Sequence, residues 1–291
     1  MIGDLSVELI HATVQLEQPL GDGTRTVGTG FLIDAPTPDG KPRTVLITAG
    51  HVFDRMPSAD ARVGYRTANP DGSWSYSPQT LKIRDAKGAE LWTRHPSRDV
   101  AAITISAPPE FAKAAIPLNW LADDDTFTRN AVSAGDEMMA LGFPRGLSAN
   151  QAGFPILRSG RVASYPVAPA RIFPTFLLDF SVFPGNSGGP VFVTGQSYRR
   201  RIAQKAEGAA DAAAVDAAQG GGETQFVAGL LTQQVELNKE RLEIGIVTHA
   251  KFIRETIALL DGHAPPAQVA RPDAGVAGGK TASAEEAASP D

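Results

Sequence analysis

Short runs of apolar and β-branched residues recur along the first 250 positions, and Gly, Pro or Asp bounds most of them. Clear examples are Gly30–Asp34, Thr44–Thr48, Val100–Ile105 and Phe226–Thr232. Runs of about four to eight such residues between turn signals are typical of antiparallel strands. The chain lacks the sustained strand–helix alternation that a parallel sheet needs. The pattern therefore predicts an all-β fold, either a barrel or a sandwich.

One amphipathic helix is predicted near the end of the patterned part. Apolar side chains between Thr248 and Leu260 recur at helical spacing and share one face. Thr248 is the expected N-cap and Gly262 the expected stop signal. Residues 195–225 and 263–291 hold few large apolar side chains, so we expect a disordered insertion and a disordered tail.

Composition narrows the possible partners and chemistry. The 291 residues carry a formal net charge of -5, which disfavours a nucleic-acid or anionic-membrane binder. The absence of cysteine excludes disulfides, thiolate nucleophiles and cysteine-ligated zinc. The N-terminus has no signal-peptide pattern, and no run approaches the roughly 20 apolar residues of a membrane span. We expect a soluble, cytoplasmic protein.

The strongest chemical signal is the segment Phe183–Pro190, in which Ser187 lies among glycines. Glycine permits turns that a Cβ forbids, so the hydroxyl can be exposed while neighbouring N–H groups point to one spot. The N–H groups of Gly185 and Ser187 are the expected oxyanion hole, where one donor contributes about 3–4 kcal/mol to catalysis. The alternative is a glycine-rich hairpin turn without a chemical role.

A serine at its ordinary pKa is a weak nucleophile and needs a base within hydrogen-bond reach. His51, at the end of an apolar strand, is the candidate base. Asp99, just before another apolar strand, is the candidate residue that orients the imidazole and stabilises the imidazolium. Taken singly, each also suits an ordinary structural position at a strand end.

The order of these residues along the chain separates two folds. Residues 185–189 also match the G-x-S-x-G elbow of α/β-hydrolases, which places serine first, then the acid, then histidine. After Ser187 the only histidines are His249 and His263. The order His51, Asp99, Ser187 is instead that of chymotrypsin. An esterase built on the elbow remains the weaker alternative.

Together the three segments resemble the trypsin-like peptidases, and the most similar members are bacterial proteases of the high-temperature-requirement type. Further likenesses lie at Gly28–Ile33, Ala140–Pro144 and Ser159–Val162. The resemblance covers roughly residues 5–260. It implies two six-stranded antiparallel β-barrels with the triad in the cleft between them, and no cofactor or metal.

The resemblance also implies a division of the chain. Residues 1–108 would form the first barrel with His51 and Asp99, 109–130 the linker, and 131–262 the second barrel with Ser187 and the terminal helix. The insertion 195–225 interrupts the second barrel, and 263–291 follows the helix as a tail. No PDZ-like domain fits after the helix.

Two departures from the family pattern bear on how the expected peptidase is activated and which substrates it prefers. Asn186 is neutral, so it cannot form the ion pair with a newly cut N-terminus that digestive trypsins use, and we expect no zymogen cleavage. Ser181 corresponds to the floor of the specificity pocket and carries no charge, which disfavours Arg or Lys and suits modest apolar side chains. Thr232 and Gln234 are the candidate pocket wall, or else ordinary strand residues.

The expected function is a serine endopeptidase that acts on protein or peptide substrates through an acyl-enzyme. A second hypothesis is a protease-fold binding or sensor module that is active only when triggered. Gly278–Thr281 resembles the end of a P-loop, but Ala274 replaces its first glycine, so nucleotide binding is not expected. The histidines show no metal-ligand spacing.

Overall fold

The computed structural model describes residues 4–194, 225–237 and 240–262, and strands dominate this part of the chain. The predicted insertion, apart from Gln225, and the predicted tail lie outside the described residues. Five helices are described: α1 (Leu5–Ala12), α2 (Gly50–Asp54), α3 (Pro109–Ala114), α4 (Asp124–Arg129) and α5 (Ala250–Leu259). The prediction of a mostly β fold with a C-terminal helix is confirmed.

The second half of the chain forms a closed barrel of six antiparallel strands. Its strands are β9 (Glu137–Gly142), β10 (Ile156–Val162), β11 (Thr175–Asp179), β12 (Pro190–Val193), β13 (Phe226–Leu237) and β14 (Glu240–His249). They pair in the closed order β10-β11-β14-β13-β12-β9. Every residue of β12 is buried, so this strand lies in the barrel core just after Ser187.

The first half forms a sheet that does not close. Its strands are β1 (Thr13–Pro19), β2 (Arg25–Asp34), β3 (Thr44–Thr48), β4 (Asp60–Ala68), β5 (Trp74–Lys82), β6 (Thr93–Arg94), β7 (Ala101–Ile105) and β8 (Ile116–Pro117). They follow the order β5-β4-β1-β2-β3-β7-β6, and β8 pairs in parallel with β2.

The prediction of two six-stranded barrels is therefore wrong for the first half. Strand β6 has two residues and its described pairing is with β7 alone, so no ladder joins the edge strands β5 and β6. An isolated bridge between Arg84 and Glu90 extends this edge, and the N–H of Leu91 donates to the Ile83 carbonyl at 2.9 Å. Its buried apolar side chains nevertheless form one continuous core with those of the barrel.

Residues 109–130, predicted as the linker, contain α3, β8, α4 and a 3₁₀ turn at Leu118–Trp120. β8 adds to the first sheet, whereas the N–H of Ala122 donates to the Val227 carbonyl of the barrel at 2.9 Å. The segment thus contacts both halves. Its boundaries as a linker stay a prediction.

Helix α5 begins at Ala250, two residues later than its predicted cap. Thr248 belongs to β14, where it pairs with Leu230, and the extended residue His249 precedes the helix. The buried face carries Phe252, Ile253 and Ile257, as the spacing predicted. None of the described helices has the length and apolar character needed to cross a membrane.

Candidate active site

His51 lies where β3 turns into α2, in the first turn of that short helix. The antiparallel pairing of β3 with β7 sets Thr48 opposite Ala101. Asp99 comes two residues before β7, so the register brings it beside His51 at the same end of the sheet. Two residues that are 48 positions apart are placed together by one strand pairing.

The side chains of His51 and Asp99 form a short hydrogen bond, with Nδ1 and Oδ2 2.6 Å apart. The backbone N–H of His51 donates to Oδ1 of the same carboxylate at 2.9 Å. Burial acts to raise the pKa of Asp99, but the hydrogen bond and charge of His51 and nearby backbone N–H groups outweigh it and lower that pKa. An ionised Asp99 fixes the proton on Nδ1 and leaves Nε2 free to accept one.

Glycines 185, 188 and 189 fit the nucleophile loop into spaces where no Cβ can enter. Gly185 and Gly188 have positive φ angles of 96° and 91°. A Cβ on Gly185 would lie 2.3 Å from the Phe143 carbonyl oxygen, and one on Gly188 would lie 1.9 Å from that of Thr29. The loop conformation therefore depends on the absence of side chains at these positions.

Some backbone N–H groups around Ser187 donate to carbonyl groups of the described residues, and others do not. Asn186 donates to the Phe183 carbonyl at 3.0 Å, Gly188 to that of Leu231 at 2.7 Å, and Gly189 to that of Asn186 at 3.1 Å. Within the part of the chain that the structure describes, the N–H groups of Gly185 and Ser187 have no such acceptor. These are the two donors that the sequence assigned to an oxyanion hole.

Thr29 joins the nucleophile loop to the first sheet, a role that sequence reasoning missed. Its N–H donates to the Ser187 carbonyl at 2.9 Å, and its hydroxyl donates to the Gly185 carbonyl at 2.7 Å. The same hydroxyl accepts from the N–H of Phe143 at 3.1 Å, and the Thr48 hydroxyl donates to the Thr29 carbonyl at 2.7 Å. A threonine between two glycines, at Gly28–Gly30, was the available signal.

Apolar groups line the region next to the predicted pocket floor. Ser181 is half-buried and Val182 is buried. A Cβ on Gly245 would lie 3.0 Å from Val182 Cγ2, 3.0 Å from Leu231 Cδ1 and 3.4 Å from Phe180 Cε1. Three apolar side chains therefore converge here, and none of them carries a charge.

The two predicted wall residues lie on β13. Thr232 turns its hydroxyl toward β14, where it donates to the Ile246 carbonyl at 3.2 Å. Its carbonyl accepts a hydrogen bond of 3.3 Å from the Ser187 hydroxyl. Thr232 thus faces the nucleophile with its backbone. Gln234 pairs with Gly245 through the strand register, and its side chain lies outside the described residues.

The model of the trypsin-like peptidase domain family matches residues 28–197, which is more than half of the chain. The chain belongs to the trypsin-like peptidase family. The match includes His51, Asp99 and Ser187. No curated protein matches the sequence.

Solved structures of HtrA-type proteases are similar in fold. An HtrA-type protease AlgW with a tripeptide superposes with a TM-score of 0.50 at 15% identity, over 89% of this chain and 63% of that one. This trypsin-like peptidase therefore spans less than two thirds of that AlgW chain. AlgW with a decapeptide gives a TM-score of 0.48 at 15% identity, over 89% and 67% of the two chains. The protease Anisep from Arthrobacter nicotinovorans gives 0.48 at 15% identity, over 87% and 96%.

Asn186 is buried between the two halves of this trypsin-like peptidase. A Cβ on Gly142 would lie 3.0 Å from Asn186 Oδ1 and 3.3 Å from the Thr29 hydroxyl. Neither polar atom of the Asn186 amide has a partner among the described residues. A carboxylate in this place would be a buried charge, and burying a charge costs far more than burying a neutral amide. The environment therefore suits Asn rather than Asp.

His249, the histidine that the esterase alternative requires, is buried among aromatic side chains. Its ring packs against Phe127 and Phe176, with centroids 4.6 and 5.0 Å apart. Burial lowers the pKa of His249 to about 4, against a smaller opposing effect of Asp124. A histidine with so low a pKa is a weak base, and its ring is enclosed by aromatic side chains, so the environment disfavours the role that the esterase alternative needs. Among the described residues, no cluster of three or more His, Asp or Glu side chains fits a metal ion.

Proposed function

We propose that this protein is a serine endopeptidase that hydrolyses peptide bonds through an acyl-enzyme. His51 Nε2 takes the proton of the Ser187 hydroxyl while Oγ attacks the scissile carbonyl carbon. The N–H groups of Gly185 and Ser187 stabilise the oxyanion. His51 then returns the proton to the leaving amine, and water hydrolyses the ester by the reverse sequence. Asp99 orients His51 and stabilises its imidazolium form.

One observation carries the proposal. The paired His51 and Asp99 stand at the end of one sheet, and the loop that approaches from the barrel presents Ser187 with two unused N–H donors beside it. A hairpin turn without a chemical role would not need three glycines packed against carbonyl groups of neighbouring segments. Membership of the trypsin-like peptidase family supports the same assignment.

We also propose a preference for small apolar residues on the amino side of the scissile bond. Val182, Leu231 and the Phe180 ring converge on Gly245, beside the uncharged Ser181. Ser181 and these three side chains carry no charge, so a cationic side chain would lose its hydration there without an ion pair to any of them, which disfavours Arg and Lys. An uncharged apolar side chain carries no such desolvation cost.

A second candidate, a protease that is active only when triggered, is favoured by the Ser187 hydroxyl. It donates to the Thr232 carbonyl at 3.3 Å, and no hydrogen bond to His51 is described. The hydroxyl must rotate toward His51 before proton transfer. A bound peptide or partner that occupies the Thr232 carbonyl would favour that rotation.

A peptide library with residues varied on both sides of the cleavage position tests the proposal. We expect the wild type to cleave after Ala, Val or similar residues, Ser187→Ala to cleave nothing, and the exposed control Ser159→Ala to match the wild type. Cleavage that appears only on addition of a peptide activator would identify the triggered form. Equal cleavage by wild type and Ser187→Ala would contradict both.

A further inference from the structure

The loop that carries Asp99 is closed by His95. The N–H of His95 donates to the Val100 carbonyl at 3.0 Å, so the β6–β7 hairpin ends in a loop of residues 96–99 with Asp99 as its last member. The His95 side chain is fully buried. Its Nδ1 accepts a hydrogen bond of 3.2 Å from the N–H of Ser97, so the ring proton is on Nε2.

The Nε2–H of His95 points out of the loop to helix α5. It donates to Glu255 Oε2 at 3.0 Å, across 160 positions of sequence. The Phe252 ring, one turn earlier on the same helix, meets the His95 ring edge-on at 5.3 Å between centroids. The Arg98 guanidinium lies 5.2 Å from the centre of the same Phe252 ring. Residues on both sides of Ser97 are thereby held by α5.

The 96–99 loop also borders open space. A cavity of about 240 Å³ is lined by Gly50 and by the consecutive residues 94–100, which include Asp99 itself. A loop that borders open space on one side can shift unless the other side holds it, since buried contacts set the local free energy of opening. The His95–Glu255 hydrogen bond is the buried polar contact between the loop and α5 that the structure describes.

We infer that Glu255, acting through His95, is a positioning residue that fixes Asp99 against His51 in the proposed reaction. Glu255 touches no reacting atom. Its carboxylate holds the imidazole of His95, His95 holds the loop, and the loop sets the direction from which Asp99 meets Nδ1 of His51. The kinetic part of this inference rests on the proposed function, whereas the effect on the His51–Asp99 hydrogen bond does not.

A second contact, between the segment that follows α5 and the first sheet, provides a matched control. Arg43 donates from Nη1 and Nη2 to the two carboxylate oxygens of Asp261 at 2.7 and 3.1 Å, and both side chains are largely buried. Arg43 precedes β3 and also bonds the Ala35 carbonyl. This ion pair therefore fastens the segment after α5 to the β2–β3 hairpin, without contact to the 96–99 loop.

The test compares Glu255→Ala, His95→Phe, Glu255→Gln and Asp261→Ala with the wild type. His95→Phe keeps an aromatic ring on Phe252 but donates nothing to Glu255, while Glu255→Gln keeps an acceptor for Nε2–H. The readouts are the downfield proton NMR signal of the His51 Nδ1–H, kcat and KM on a cleaved peptide, and the melting temperature. The NMR signal reports the His51–Asp99 hydrogen bond whether or not the protein is an active peptidase.

We expect Glu255→Ala and His95→Phe to weaken or abolish the NMR signal and to lower kcat about tenfold, with KM changed less than about twofold, because displacement of a catalytic group by an ångström costs up to about 100-fold. Glu255→Gln should retain most of both. Asp261→Ala should lower the melting temperature about as much as Glu255→Ala does, but it should leave the NMR signal and kcat unchanged.

An unchanged signal and kcat in whichever of Glu255→Ala and His95→Phe folds would overturn the inference. So would an equal loss of both in Asp261→Ala, because the effect would then be general loosening of α5. Absence of peptidase activity in all variants, with the NMR signal present in the wild type and lost in Glu255→Ala, would reject the proposed function alone.

Discussion

The barrel that carries Ser187 closes on itself through six strand pairings, whereas the sheet that carries His51 and Asp99 ends in two edges, β5 and β6. Closure satisfies the backbone groups of every barrel strand within one unit. The open sheet instead depends on tertiary contacts from outside it. Helix α1 is held at its start by the Gln225 side chain, which accepts from the N–H of Leu5 at 2.9 Å. Helix α5 is held by Arg43 and His95.

The contrast between the closed barrel and the open sheet indicates which substitutions should disturb each part of the proposed site. The nucleophile loop is fixed by backbone shape, because its glycines are packed against carbonyl groups of their neighbours. His51 and Asp99 are brought together by the pairing of β3 with β7, and the segments around them are held by side-chain hydrogen bonds to distant elements. A substitution in the nucleophile loop should therefore lower stability and activity through steric clashes. A substitution around the open sheet should lower them through lost hydrogen bonds.

The largest effect is expected from Gly188→Ala in the nucleophile loop. Its Cβ would meet the Thr29 carbonyl at 1.9 Å at a backbone φ of 91°, so both sterics and conformation oppose it. We expect loss of at least about 3 kcal/mol in the free energy of unfolding and a fall in activity beyond about 100-fold. Urea unfolding and peptide cleavage measure the two. Gly40→Ala also has a positive φ but open space around it, and should cost only about 1–2 kcal/mol with normal activity.

A large effect on the open sheet is expected from Arg66→Met. Arg66 is fully buried in β4, where Nη2 donates to the carbonyls of Ile10 and His11 at 3.1 and 2.8 Å, and Nη1 to that of Gly153 at 3.1 Å. Removal leaves these carbonyls without donors, so we expect a loss of about 3 kcal/mol in chemical unfolding.

The control for Arg66 is Arg62 on the same strand, whose side chain is 56% exposed and lies 3.8 Å from Glu17. Arg62→Met should change the unfolding free energy by less than about 0.5 kcal/mol. Equal losses in the two variants would show that the sheet does not depend on its buried cation.

In the barrel, we expect His249 to make the free energy of unfolding depend on pH. A comparison of the wild type with His249→Phe isolates this contribution. The folded-state pKa of His249 is lowered to about 4 from an ordinary 6.5, so the unfolded chain takes up a proton between these values while the folded chain does not. Stability should therefore fall by about 3 kcal/mol as pH drops through this interval, and be unaffected by His249 above it. His249→Phe should lose less stability between pH 7 and pH 4.5 than the wild type, by roughly 2 kcal/mol, in urea titrations at both pH values. Identical slopes in wild type and variant would disprove this assignment.

The smallest effect is expected at Thr29, the contact between the two halves. Thr29→Val removes the donor to the Gly185 carbonyl and the acceptor for the N–H of Phe143, both inside the protein. We expect a loss of about 2 kcal/mol in unfolding free energy and a reduced kcat. Thr29→Ser keeps the hydroxyl and should recover most of both. A serine variant as impaired as valine would contradict this account, because the lost methyl group would then matter as much as the hydrogen bonds.

Local patterns in the sequence were enough to predict the strands and the terminal helix, whereas the closed barrel was expected from the resemblance to the trypsin-like peptidases. Alternating apolar runs identified the strands, and the spacing of Phe252, Ile253 and Ile257 identified the face of α5. Chain order directed attention to Ser187, His51 and Asp99, and the structure brings the last two within 2.6 Å. Their catalytic roles remain the proposal made above.

The remaining features depend on contacts that are distant in sequence. Helix α1 has eight residues, too few to be stable alone, and it forms because Leu5 and Leu9 are buried by other elements. The sheet stays open because β6 has only two residues. The pattern of apolar residues in the sequence does not predict that this strand is so short. Thr29 and Glu255 contact partners more than 110 positions away. The Gly28–Gly30 segment hinted at Thr29, but nothing near Glu255 in the sequence indicates its contact with His95.

The central claim is that Ser187 is a nucleophile activated by His51 and Asp99. Its most direct test is the intact mass of the protein after reaction with a fluorophosphonate, followed by mapping of the adduct. We expect one adduct on Ser187 in the wild type, none in Ser187→Ala, and a labelling rate at least about 1000-fold lower in His51→Ala and Asp99→Asn. Undiminished labelling of His51→Ala, or an adduct on any other residue, would contradict the claim.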